Sequence, residues 1–98
     1  MNYECFKMTD YLLLLFIEKH EVKKNDLASE FSKIHHFPIR TFQRTVKKLN
    51  QSEHLIKLTI RPIITNGEVS SINQYYALTN KGKQFLKDYS ALIAATSK

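Results

Sequence analysis

From Leu55 onward the apolar residues change their spacing. Ile56, Leu58 and Ile60 alternate with Lys57, Thr59 and Arg61, the period of two that a strand with one covered face requires. Asn66-Gly67 then supplies two residues that both tolerate positive φ, the strongest short signal for a tight hairpin, and Val69 to Leu78 supply the returning strand. Thr79 is placed to cap a helix running to about residue 94, with Phe85, Leu86, Tyr89, Leu92 and Ile93 on one side. The two strands make an antiparallel hairpin (55–78). Regular pairing is expected near Leu58 and Tyr75, whose side chains would complete the core. Beyond Pro62, which has no ladder donor, pairing should loosen toward the tip.

Ahead of the hairpin the spacing is helical. Thr9 and Asp10 open a first helix (9–20) whose Tyr11-Leu12-Leu13-Leu14-Leu15-Phe16-Ile17 run is apolar nearly all round, so it must be covered on more than one side, by a second subunit or by deep burial. Asn25 is placed as the N-cap of a second helix (25–35) with Leu27, Phe31 and Ile34 at i, i+4 and i+7. A third helix (38–51) follows, with Pro38 in its first turn, where a missing N–H is harmless. At about 100° per residue, Ile39, Phe42, Val46 and Leu49 form its core stripe and Arg40, Arg44, Lys47 and Lys48 point the other way. The chain, 98 residues long, reads as a single domain over 1–98, an α+β fold in which a three-helix core precedes an antiparallel hairpin and a C-terminal helix.

The charge is not evenly spread. Residues 1–32 carry four lysines against six acids, residues 33–61 seven Lys or Arg against Glu53, and residues 62–98 four lysines against two acids. The middle third holds the whole excess, a candidate electrostatic footprint for nucleic acid. A lone cysteine, Cys5, builds no internal disulfide, which fits a reducing cytoplasm, and with only Lys7 as a basic neighbour it is a weak redox candidate. The seven-residue apolar run falls far short of the roughly 20 residues of a membrane span. Adjacent His35 and His36 point apart and have no Cys or carboxylate at ligand spacing, so no metal is expected. No Gly-rich phosphate loop, HExxH or nucleophile motif is present, and neither an enzyme nor a cofactor is expected.

The order of elements is that of a winged helix-turn-helix domain, and some of the residues resemble a family. Leu27-Ala28, Val46-Lys47-Lys48-Leu49 and Leu55-Ile56 resemble bacterial winged-helix repressors. Tyr75-Tyr76-Ala77-Leu78-Thr79-Asn80-Lys81-Gly82 resembles the wing-to-helix junction of PadR and MarR regulators, in which a tyrosine-rich strand ends in Leu-Thr with Gly three residues later. Two positions depart from that pattern: Pro38 stands where a small capping Ser or Thr is common, and His54 where Gly is common. The long flanking helices of MarR dimers have no counterpart. The resemblance implies that the third helix enters the major groove of duplex DNA and the wing reaches the minor groove or backbone. Arg40, Thr41, Gln43 and Arg44 would then read bases, while Lys47, Lys48, Lys57, Arg61 and Asn66 would contact phosphate or form the wing contact. Leu13, Leu14, Ile17, Tyr89, Leu92 and Ile93 are the expected homodimer face. The function expected is a small regulator, a repressor acting by promoter occupancy. The alternatives are a protein-binding winged-helix subunit, or a plasmid or phage replication or partition protein binding DNA repeats.

Overall fold

The computed structural model describes residues 7–96, which form α1 (Met8–Lys19), α2 (Leu27–Ile34), α3 (Ile39–Lys47), β1 (Ile56–Thr65), β2 (Glu68–Leu78) and α4 (Asn80–Thr96). This is the winged helix-turn-helix arrangement; Cys5 lies outside the described residues. α1 is its central helix, packed against α3, α4 and β2, and this explains a helix with almost no polar side. Leu13, Leu14, Phe16 and Ile17 are buried with Leu27, Phe31, Leu49, Leu55, Ile56, Leu78, Phe85 and Leu86. Full burial of one such side chain stabilises by about 1.5–3 kcal/mol. The expected dimer face is corrected here. Leu13 and Leu14 have no exposed surface and Ile17 almost none, so all three belong to the chain's own core. Tyr89 is half-buried, its ring 5.4 Å from both Tyr11 and Phe85, and Ser90 Oγ donates to the Tyr11 hydroxyl at 3.2 Å. α4 therefore closes the core on α1, and only Leu92 (46% exposed) and the half-buried Ile93 remain near its outer side.

The helix starts differ from those expected. Asp10, not Thr9, closes the first turn of α1: its carboxylate accepts the Lys7 backbone N–H at 2.8 Å. A 3-10 turn, Lys24–Asp26, leads into α2, so Asn25 sits inside that turn and does not cap the helix. Ile34 is exposed because α2 ends there and the chain turns away. Pro38 is the residue that flanks α3, with extended backbone, and its carbonyl accepts the Phe42 N–H at 3.1 Å. α3 gives way to a π-helical turn over Lys48–Ser52, capped at its end by Glu53.

β1 and β2 pair antiparallel from Ile56↔Leu78 to Thr65↔Glu68. Asn66 (φ 54) and Gly67 (φ 82) form the turn with the positive angles their types allow. Pairing holds through Pro62↔Ile72 and on to the turn, and the loosening expected toward the tip is confined to one bulge between Ile63 and Ile64. Ser70 is the extra residue, and its hydroxyl donates to the Ile63 carbonyl at 3.1 Å. Leu58 faces Tyr76, and Tyr75 faces Thr59. Leu58 and Ile60 are exposed, which corrects the core role expected of Leu58: the strand leaves the helical body after Ile56.

The junction from wing to α4 is held by Thr79. Its hydroxyl donates to the His54 carbonyl at 2.7 Å and accepts the Gly82 N–H at 3.0 Å, and its own N–H reaches the Leu55 carbonyl at 3.0 Å. His54 has φ 55, a left-handed backbone that strains any side chain with a Cβ. The side chain is exposed, so His54→Gly is expected to raise stability by about 0.5–1 kcal/mol. A denaturant midpoint that moves up at unchanged slope would show it, and an unchanged or lower midpoint would refute it.

Candidate nucleic-acid interface

α3 is fixed from behind by aromatic side chains. The Phe31 ring of α2 lies 5.8 Å from Phe37 and from Phe42, and 5.5 Å from Phe16 of α1. The buried side of α3 is rotated relative to the stripe read from the sequence. Thr45 is buried and Leu49 fully so, Phe42 and Val46 are half-buried, and Ile39 is 55% exposed. Thr45 can be buried because its hydroxyl donates to the Thr41 carbonyl one turn back, at 2.8 Å. Opposite lies an outward arc of about 100° that holds Arg40, Gln43, Arg44 and Lys47, all exposed. Neither Arg40, Arg44 nor Lys47 is in an ion pair among the described residues, and all three side chains are exposed. Thr41 is half-buried and borders, with Arg44, a small cleft beside the start of α1.

Lys48 does not belong to that arc. Its Nζ meets Asp10 Oδ2 at 2.8 Å, and the Asp10 side chain is 3% exposed. The expected phosphate contact is thus a structural ion pair joining α1 to the end of α3. Arg61 is also engaged: its guanidinium pairs with Glu21 and lies 4.7 Å from the Tyr75 ring centroid. Hydrogen bonding and charge from Arg61 hold the Glu21 carboxyl below its usual range. Lys57 is exposed and occupies the same strand face as Arg61, since successive side chains alternate. Tyr76, on the other face, meets α3. The sheet therefore separates Lys57 and Arg61 from the cations of α3. Asn66 is exposed at the wing tip, where it makes the turn.

Between α3 and the wing lies an open cleft of ≈ 400 Å³, with Leu27, Phe42, Val46 and Tyr76 among its lining and Lys24, Gln43, Lys47 and Gln51 bringing polar ends to it. Burial pushes the Tyr76 phenol above its ordinary pKa. Lys24 and its neighbour Lys23 are basic residues that the sequence reading passed over. Lys23 forms a single antiparallel bridge to Tyr75, which docks the segment before α2 on the wing. The only trace in the sequence is a Lys-Lys pair just before a helix. Among the described residues no group of three or more His, Cys, Asp or Glu is placed to hold a metal, and no helix is long and apolar enough to cross a membrane.

No protein-family model matches the sequence, and neither does any curated protein. Solved structures match the fold. A PadR family transcription regulator from hypervirulent Clostridium difficile aligns over 93% of this chain and 92% of its own, with 24% identity and a TM-score of 0.68. A Streptococcus transcriptional regulator aligns over 92% and 85%, with 15% identity and a TM-score of 0.69. A PadR-like transcription factor from Bacteroides fragilis aligns over 92% and 84%, with 20% identity and a TM-score of 0.63. At these identities the likeness is one of fold.

Proposed function

We propose that this chain is a PadR-like transcription regulator that binds duplex DNA through α3 and represses by occupying a promoter. The observation that carries this reading is the outward arc of Arg40, Gln43, Arg44 and Lys47 on the second helix of a helix-turn-helix, its cations unpaired among the described residues. With α3 in a major groove, Arg40 and Arg44 supply forks for guanine O6 and N7, Gln43 pairs with adenine, and Thr41 reaches a phosphate or a thymine methyl. Lys47, Lys24 and Lys23 hold the phosphates alongside and position without specifying. Two copies related by a two-fold axis, meeting near Leu92 and Ile93, would read a palindrome.

Titration of the purified chain against a duplex from its own upstream region and a scrambled duplex, at several salt concentrations, tests this. Tighter binding to the upstream duplex is expected, with a log–log salt slope of about −2 to −3 per protomer, from roughly −0.9 per phosphate. Negligible binding to both duplexes would discard the proposal. One feature favours the second reading, a winged helix that contacts protein: residues 62–74 contain no Lys or Arg and expose Ile63, Ile64, Val69 and Ile72, a poor match for a polyanion. Salt-independent or absent DNA binding would support that reading instead.

A further inference from the structure

Among the exposed side chains of α3, Ile39 is the aliphatic one. It is the first residue of the helix and more than half exposed, between Pro38 and Arg40 and one turn ahead of Gln43 on the same side. Behind it a notch of ≈ 240 Å³ runs between α2 and α3, lined by Ala28, Ser29, Ser32, Phe37 and Phe42 with no charged side chain. A purely solvated helix end would gain nothing from this apolar corner. Within a major groove, one apolar group is presented at the base edges, the 5-methyl of thymine, and the N-terminal residues of a recognition helix are those nearest the base edges. Building on the DNA-binding reading, we infer that Ile39 is a specificity residue that contacts a thymine methyl. Residues i and i+4 lie about 5–6 Å apart and base pairs are stacked 3.4 Å apart, so this thymine lies within about two base pairs of the one read by Gln43.

The test begins with selection of a binding site from random duplexes by the intact chain, after which each thymine is replaced in turn by deoxyuracil, which lacks only the methyl. One position is expected at which this change weakens the native protein about fourfold, the worth of one buried methyl-sized group. Ile39→Ala should bind the thymine duplex about as weakly as the native protein binds the deoxyuracil one, and should no longer distinguish the two. Ile39→Val should keep part of the discrimination, and Gln43→Ala should change base preference within two base pairs of that position. A uniform loss by Ile39→Ala on thymine and deoxyuracil duplexes alike, or no methyl-sensitive position, overturns the inference and leaves DNA binding standing. Failure to select any duplex overturns both.

Discussion

Asp10→Ala is expected to destabilise the fold by about 3 kcal/mol, lowering the melting temperature by on the order of 15 °C for a domain of this size. Two interactions end on one carboxylate that is 2% exposed. It accepts the Lys7 N–H at the start of α1, a cap worth about 1 kcal/mol, and it neutralises Lys48 at 2.8 Å. Removing one member of a buried pair costs about 3–5 kcal/mol when the other charge is stranded. Lys48 keeps partial access to water, with 28% of its side chain exposed, so the loss of the pair falls below that range, to about 2 kcal/mol, which with the cap makes about 3 kcal/mol. The double variant Asp10→Ala, Lys48→Met should be less damaged than the sum of the singles by more than about 1 kcal/mol. Strict additivity would mean that the cap carries the whole effect and the ion pair none. Chemical denaturation of the four proteins decides it.

Gly82→Ala is expected to be nearly as damaging, although it replaces the poorest helix former apart from proline with the best. In an exposed helix interior the exchange is favourable by about 1 kcal/mol. Here a Cβ at residue 82 would stand 2.0 Å from the Leu55 carbonyl oxygen and 2.9 Å from its carbon. Both are backbone atoms, held by the Thr79 N–H, so neither can swing aside as a side chain would. Relief requires α4 to lift off the strand entry, which opens the Thr79 cap and loosens Phe85 and Leu86 below it. Overpacking of this kind costs about 3 kcal/mol or more, which leaves a net loss of about 2–3 kcal/mol. Lys81→Ala, at the exposed position beside it, should change little. A stable Gly82→Ala protein with an unmoved denaturation midpoint would show that the junction yields more easily than its hydrogen bonds imply.

The sequence spells out those features that local chemistry dictates. Asn66-Gly67 names its own turn, Thr79 caps α4 by a hydroxyl three residues from Gly82, and the change of period at Leu55 marks where helix gives way to strand. What escapes is set at long range or by side chains that behave against type. Asp10 and Lys48 meet across 38 residues, a pairing that no periodicity reveals, and the long stem of Lys48 brings its charge to the core side of an otherwise outward position. Thr45 enters the core because its hydroxyl is satisfied within its own helix. Ile39 is left outside the core because, as the first residue of α3, it stands on the rim of an open notch between α2 and α3. The apolar run of α1 is compatible with a partner subunit or with central burial, and only the elements packed on it decide for burial. At the candidate interface the cations of α3 were legible from helical spacing, whereas the capture of Arg61 by Glu21 and the approach of Lys23 to Tyr75 depend on how the wing folds back.

Pro62 has a consequence beyond pairing. Among the described residues the wing is a sheet of two strands, and β1 presents its outer edge along Ile60-Arg61-Pro62-Ile63-Ile64, a stretch that by composition invites another strand to join. Proline is tolerated on an edge strand because its donorless nitrogen lies on the solvent side. The ladder to β2 survives while the open edge has a gap at its middle, and the bulge at Ser70 bends the ribbon close by. On the β1 edge the ring acts as a gatekeeper, interrupting the row of donors that a further strand would need.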